Sequence, residues 1–457
     1  MRDVTGFGAK GDGETDDTAA LQHALDAGGN MLRFNKGAYR ITQPLLVDLA
    51  RQGCCAISGD GGATRLRMEG PGPAIRIVGA HTGTAAPSTV ADQVWEKERF
   101  PTVEGLEILG AHPEAVGIEL RGTMQATVSR ALIRGCRHGI HLVERNRNFI
   151  LDSSHLYDNH EYGLFFDQCN LHQVNIHGNH ISYNKRAGIR SIGGDVHNVQ
   201  ITGNDIEYNN AGGVEELMTD GGAEIWFEAL DGIISEVTLA SNTIQATIEP
   251  GGANVRIWGG EKDSPRGARL IAITGNMLGS QMRGIDVRHA QRIAVTGNTI
   301  YDSADLSLFA EDCSGLLFSA NTLVWRGDES DPPRDGILLR RCDNCSISNC
   351  LTQRLCYGSP ERGAGITLET CADVAVTDCQ ILDSLVRGVE LRDCIRCRVT
   401  NNSIVDRRAT PGMIHAIRVA GAGHGNLVRH NMLGGATDKL IACEEGLAIV
   451  DGNVGVD

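Results

Sequence analysis

Aromatic side chains are scarce in this 457-residue sequence: Phe, Trp and Tyr together make up 4%, while Gly occurs 57 times. An ordinary globular core leans on aromatic rings, so the scarcity excludes one and calls for repeated small and branched aliphatic residues, as in a solenoid. Basic residues are also in deficit. The formal charge of −15 excludes nucleic-acid binding or a general affinity for anionic membranes as the main role, because either needs a basic footprint. No apolar run exceeds the length of a strand, so no transmembrane helix is expected. The opening MRDVTGFGAKGDG has no basic-then-apolar region; the expectation is a cytoplasmic protein, or an exported one whose signal has been removed. The 14 Cys fall at positions that read as stacked reduced thiols rather than a disulfide framework.

What is present is a repeat. VQITGNDI at 199–206 returns as IAITGNML at 271–278 and IAVTGNTI at 293–300. Aligned along the chain, the Asn position is held by Ala131, Ser154, Asn179, Asn204, Asn242, Asn276, Asn298, Asn321, Cys350, Cys379, Asn402, Asn431 and Asn453, mostly 22 to 30 residues apart. Alternation followed by a turn residue at such intervals is the mark of stacked strand repeats. Each repeat holds a second short strand, usually opened by Gly: HGIHL at 138, YGLFF at 162, AGIRS at 187, RGIDV at 283, DGILL at 335, AGITL at 364, RGVEL at 387. The pattern predicts an all-β chain, a parallel β-helix of roughly a dozen coils about 4.8 Å apart, with the Asn at tight turns bonding the backbone and one another. These Asn are structural. Cys169, Cys342, Cys371 and Cys394 each follow a strand-opening Gly by six residues and are expected in an internal column. CDNC at 342 and CIRC at 394 lie two coils apart, about 9.6 Å, too far for one zinc; no metal site is expected.

Asp3 to Asp26, DVTGFGAKGDGETDDTAALQHALD, resembles the N-terminal segment of the pectate-lyase-like right-handed β-helix superfamily. The resemblance implies an entry strand, a Gly-Asp-Gly turn and a short helix closing the first coil, so residues 1–50 are expected as a cap and 51–457 as one continuous right-handed β-helix. From the residues themselves, Thr15 or Asp16 can cap a helix with Ala19, Ala20, Leu21, Ala24 and Leu25 on one face. Asp12, Asp16 and Asp17 are assigned to turn and cap chemistry. The resemblance is weak for activity, since members include hydrolases, lyases, epimerases, fructan-cleaving transferases and phage tailspikes. It also implies a homo-oligomer, a homotrimer in the first instance.

Insertions mark added work on a solenoid. They fall near 207–223, 245–270, 325–335 and 353–363, always after the Asn strand and before the second strand, and predict a wall beside the second-strand face. Alternation gives the outward column of that face as His141, Phe165, Arg190, Trp226, Arg256, Asp286, Ser307, Leu338, Thr367, Glu390 and Arg418. AEIWFEA places Glu224, Trp226 and Glu228 on one outer face, a Trp between carboxylates as in a sugar site. Glu224 and Glu228, with Asp220, Glu216 or Asp286 as partner, are the candidate acids and bases. Trp226, Arg190, Arg256, Trp258, His177, Lys185 and His172 are the candidate substrate contacts, the last three lining a cationic end of the groove.

Three functions follow: a glycoside-cleaving enzyme, hydrolytic or fructotransferase-like, without cofactor; a lyase or epimerase on a uronic-acid polymer, using Lys, Arg or His and, in that reading alone, Ca²⁺; and a non-catalytic, tailspike-like glycan binder. The expected partner in all three is a poly- or oligosaccharide.

Overall fold

The structure is a computed structural model that describes residues 2–27, 31–210, 221–260, 266–326 and 335–456. It is built almost entirely of short parallel strands. They form two compact units, Met1–Leu217 with Gly222–Thr238, and Met218–Gly221 with Leu239–Asp457.

In the first unit each coil carries three strand segments, here called faces A, B and C. One coil runs from Tyr162–Asp167 on face A through Asn170–His177 on face B to His180–Ser182 on face C. The next begins at Ala187–Ile192. Inward residues stack in register: Ile140, Leu164, Ile189 and Ile225 make one aliphatic column, every member fully buried. Truncating one of them to Ala would cost about 2–5 kcal/mol. The second unit repeats the scheme, with Arg256, Asp286, Phe309, Leu338, Thr367, Glu390 and Arg418 in one face A column. Alternation had named Ser307 where Phe309 stands. Ser307 is instead wholly buried, its Oγ donating to Asp335 Oδ1 at 2.7 Å.

The repeated TGN phrase has a geometric cause. The chain turns from face B to face C through one left-handed residue, and Gly203, Gly275 and Gly297 hold it at φ of 64°, 62° and 66°. The following Asn is buried and bonds along the stack. Asn179 N and Nδ2 both donate to Asn204 Oδ1 at 3.0 Å; in the second unit Asn242, Asn276, Asn298 and Asn321 are linked in the same way.

At the N-terminus a helix spans Thr18–Asp26 and buries Leu21, Ala24 and Leu25, whereas Ala19 is exposed. Its N-cap position is Asp17, not Thr15 or Asp16, but the Asp17 carboxylate turns away to accept from Lys10 N and Gly11 N, holding the GAKGDG turn. Asp16 instead accepts from Thr18 N at 3.0 Å. Asp12 accepts from Glu14 N and Thr15 N and Oγ1, which hold its pKa down at about 2.

In the second unit Cys313, Cys342, Cys371 and Cys394 occupy one corner of successive coils, set by bridges from Ser314 through Asp343 and Ala372 to Ile395. Cys169 takes the corresponding corner of the first unit, accepting from Asn146 Nδ2. All 14 thiols are free.

Candidate active site

A second polar ladder lies at the turn from face C to face A. In the first unit Asn159 donates from N and Nδ2 to Asn184 Oδ1 (3.2 and 2.7 Å), and Asn184 likewise to Asn209 Oδ1 (3.2 and 2.6 Å). The ladder ends on a carboxylate: Asn209 N donates to both Glu224 oxygens at 3.0 Å, and Asn209 Nδ2 to Oε2 at 2.6 Å. Gly139, Gly163 and Gly188 open the face A strands because a Cβ there would meet the ladder, 2.9 Å from Asn209 Nδ2 in the case of Gly188. Glu224 occupies the same strand position one coil on from Gly188. Its side chain folds into the corner, which overturns the expectation that it faces the groove. It is wholly buried, and burial raises its pKa well above the ordinary glutamate value against the bonds from Asn209.

Asp286 is also withdrawn from the groove. It is fully buried in the second unit and clamped by Arg283 Nη1 (2.8 Å), by Arg288 Nε and Nη2 (2.9 and 3.1 Å) and by Trp258 Nε1 (3.3 Å). Burial opposes ionisation, but these arginines prevail and its pKa is lowered. A carboxylate so enclosed and so paired neither reaches a substrate nor delivers a proton. Asp220 and Glu216 lie outside the described residues.

Glu228 remains, with a side chain 22% exposed and paired to Arg190 Nη2. Arg190 is itself 4% exposed, donates from Nη1 to Ser191 O, and stacks its guanidinium 4.1 Å over the Trp226 ring. Trp226 is 8% exposed, so the ring expected to stand free on the groove is largely covered.

The outward positions of face A form a second column two residues further along each strand, in which Val143, Asp167, Ile192 and Glu228 follow one another. Asp167 was missed by counting only the residue after each inward apolar one; continuing the alternation by two would have found it. The Asp167 Oδ2 accepts from His141 Nε2 at 3.1 Å. His141 stacks flat on Phe165 (centroids 5.1 Å apart, planes at 4°), and Phe165 adjoins Tyr162 and His138. Burial, then the nearby His141 and Arg137, push the His138 pKa down to about 3, so this imidazole is a neutral member of the aromatic cluster. The first unit thus brings two carboxylates, each held by a cationic or imidazole partner, onto one face with Tyr162, Phe165 and Trp226.

The other expected contacts do not join them. His172 is on face B, its Nε2 3.2 Å from Asn198 Nδ2, with its pKa lowered by burial and neighbouring His197. His177 is exposed at the end of the same face B strand. Lys185 sits at the corner before face A, its Nζ 3.8 Å from Asp158. His172, His177 and Lys185 therefore do not form a cationic end of the groove, because alternation assigns parity and not which of three faces a residue occupies. In the second unit Arg256 is 1% exposed and lies 4.9 Å from the Trp258 ring centroid, and Trp258 is shared with Arg288 at 4.7 Å. Among the described residues, the one His, Cys, Asp and Glu group with ligand atoms close enough for a metal ion is His180, Asp205 and Glu207, on face C.

Coils of parallel strands and buried Asn ladders define a β-helix protein, and the family comparison agrees. The right-handed β-helix region family matches residues 101–228 and 234–453; the chain belongs to that family. A second family, described as rhamnogalacturonase A/epimerase, pectate lyase-like, matches residues 1–69. Among solved structures the chain is similar to the A-module of the mannuronan C-5 epimerase AlgE4 of Azotobacter vinelandii, at 15% identity over 100% of both chains and a TM-score of 0.39. It is similar to the Dettilon tailspike protein at 15% identity, covering 96% of this chain and 68% of that one with a TM-score of 0.47. The catalytic unit of a GH87 alpha-1,3-glucanase from Streptomyces thermodiastaticus shares 15% identity, with 100% and 68% of the chains covered and a TM-score of 0.36. No curated protein matches the sequence.

Proposed function

We propose that face A of the first unit is the catalytic surface of a carbohydrate-active enzyme that cleaves glycosidic bonds of a poly- or oligosaccharide, by hydrolysis or transfer, with Asp167 and Glu228 as its acid/base pair. The observation that carries this reading is their shared outward column, with Ile192 between them, beside Tyr162, Phe165 and Trp226. The three rings are covered by Arg190, His141 and His138 and hold those partners in place, while paired carboxylates protonate the leaving oxygen and activate water. Two coils set the pair about 9.6 Å apart at the backbone. Carboxyl groups that keep that spacing leave room for a water between them, as inverting enzymes require, whereas a retaining pair would need the two side chains to converge to about 5–5.5 Å. His141 orients Asp167, and Arg190 orients Glu228 while resting on Trp226.

A lyase needs a Lys, Arg or His at the site to take the proton beside the carboxylate. Arg190 is committed to Glu228, Arg256 is buried, and Lys185 lies by Asp158 away from the pair. The deciding experiment offers neutral glycans, fructans and uronic-acid polymers and records new reducing ends together with absorbance of unsaturated products. Reducing ends without unsaturation, lost in Asp167→Asn and Glu228→Gln, are the expected result. Unsaturated products would replace the reading with a lyase, and no product of either kind would replace it with a binding role. Association as a homotrimer belongs to the same proposal, and a monomeric mass by light scattering would remove it.

A further inference from the structure

We infer that the exposed ring of Tyr183, at the corner between faces C and A of the first unit, is a docking site for a neutral, glucose-type pyranose of a sugar chain, separate from the acid/base pair. The choice of a sugar rests on the glycan reading above; the open ring face and its polar flank do not.

The corner itself makes the site. Gly135 N donates to Asp158 O, Asp158 N to Ser182 O and Tyr183 N to Glu207 O at 3.1, 3.1 and 3.2 Å, so Gly135, Asp158, Tyr183 and Tyr208 hold one position in four successive coils. All four are left-handed, with φ of 66°, 53°, 59° and 57°. Such a position favours Gly, Asn or Asp, and a bulky ring there is an outlier; in the second unit Ser280, Asp302 and Asp383 hold it. Tyr183 and Tyr208 stack with centroids 5.6 Å apart and planes at 8°. Parallel rings repeated at close to the coil spacing of about 4.8 Å lie across the stack, so the second face of Tyr183 looks towards the coils of Asp158 and Gly135. Neither residue fills that space: Asp158 is short, and Gly135 has no side chain. The result is a step two coils deep, about 9.6 Å, with one aromatic wall.

Tyr183 is 49% exposed, whereas Tyr162, Phe165 and Trp226 are covered; among the described aromatic side chains only Phe100 is as open. An exposed ring face gains by shedding water against another apolar surface, and a pyranose with equatorial hydroxyls offers one in its axial C–H groups. The hydroxyls of such a ring point outward in its plane and call for a few well-placed polar groups at the edge. Asp158 and Lys185 supply an acceptor and a donor there. Their side chains are 58% and 38% exposed and stand 3.8 Å apart, beyond hydrogen-bond length, so both remain open to hydroxyl groups. Their charges cancel, as do those of Arg137 and Glu161 at the same corner, 3.0 Å apart. That balance fits a neutral ligand and not an acidic one. Tyr183 also stands four residues before the face A strand Ala187–Ile192, whose last residue separates Asp167 from Glu228, so a sugar chain lying along that strand would meet both the ring and the acid pair.

Fluorine NMR of the Asp167→Asn variant labelled with 3-fluorotyrosine tests the inference apart from any cleavage, with Tyr183→Phe assigning the Tyr183 signal. The protein is titrated with cellohexaose, laminarihexaose and maltohexaose, and with trigalacturonate as the charged control. The Tyr183 signal should move saturably with at least one of the three glucans and not with trigalacturonate. Lys185→Gln should raise the glucan concentration needed by about two- to tenfold. Tyr183→Asn, which suits the left-handed corner, should weaken glucan binding read by calorimetry by about two- to tenfold without lowering the melting temperature, whereas Tyr183→Trp should keep it. A Tyr183 signal unmoved by every glucan, one that responds equally to trigalacturonate, or one that shifts with protein concentration alone, as a contact between copies would, overturns the inference. A chain whose Tyr183 signal answers to a glucan but which cleaves no glycan would instead overturn the reading of Asp167 and Glu228.

Discussion

Asp167 and Glu228 project from face A in one column, separated by the single residue Ile192. If they divide acid and base roles, Asp167→Asn and Glu228→Gln should each lower kcat by about 10²–10⁴-fold, since an amide keeps the shape and loses the proton. Both carboxylates are partly exposed, so melting temperatures should stay close to the parent. Proton NMR of the first-formed product should show inversion at the anomeric carbon. Retention would mean that the two side chains converge to about 5–5.5 Å.

Arg190 is the pivot of the same site. Its guanidinium rests on Trp226 and bonds Glu228. Trp226→Ala removes the surface on which it rests, a contact worth about 0.5–2 kcal/mol. The expected outcome is a fall in kcat/KM of about two- to thirtyfold, carried by KM and kcat together because Glu228 loses its orientation. A change in KM alone would mean that Trp226 only touches sugar.

Much of this molecule is legible in its sequence, and the parts that are not have physical reasons. The TGN turns and the Gly-opened strands follow from period-2 alternation and turn chemistry, and each stands where expected, whereas the stretch 245–270, expected as an insertion, contains the face A strand Ala253–Trp258. The second ladder was also written in the chain, as Asn159 and Asn184 four residues ahead of Gly163 and Gly188, but spacing alone does not say that an Asn is buried. Glu224 shows the harder limit. Its strand parity is outward, yet the Gly188 position beside it is a gap filled by ladder side chains, and a longer residue there turns inward. His172 and His177 failed for a different reason: a three-faced coil offers three outward surfaces, and alternation cannot choose between them.

Because Glu224 ends a ladder and does not face the groove, Glu224→Gln should leave kcat within a few-fold of the parent, in contrast to Glu228→Gln. Its effect should appear in stability. Burial raises the folded-state pKa of Glu224, so the folded protein binds this proton more tightly than the unfolded chain, and stability falls as pH rises above the ordinary glutamate value. The amide removes that loss while keeping an acceptor for Asn209. Thermal unfolding at pH 5 and pH 8 should show the variant gaining on the parent at the higher pH; a variant less stable than the parent at both values would contradict the ladder role.

Gly188→Ala tests the ladder from the other side. An added Cβ would lie 2.8 Å from Glu224 O and 2.9 Å from Asn209 Nδ2, both held by neighbours that cannot withdraw without breaking hydrogen bonds. Overpacking of this kind costs about 1–3 kcal/mol. Urea unfolding should show a lower midpoint, and a variant as stable as the parent would mean that the corner is looser than its hydrogen bonds imply.

Asp335 carries the same logic with a defined pH window. It is wholly buried at the start of a face A segment in the second unit, where Oδ1 accepts from Ser307 and Oδ2 has no partner among the described residues. Burial outweighs the bonds from Ser307 and Gly336 and raises its pKa from 3.8 to about 7. In the unfolded chain the proton leaves near the lower value and in the folded protein near the upper one, so between them the folded state binds more protons and stability declines as pH rises. Below about pH 4 both states are protonated and the group contributes no slope; above about pH 7 both are ionised and the full loss is present. Asp335→Asn should therefore match the parent near pH 4 and exceed its melting temperature at pH 8, with the gap opening across that interval. A gap that is constant from pH 4 to pH 8 would show that Asp335 does not titrate there, and that a partner satisfies Oδ2 after all.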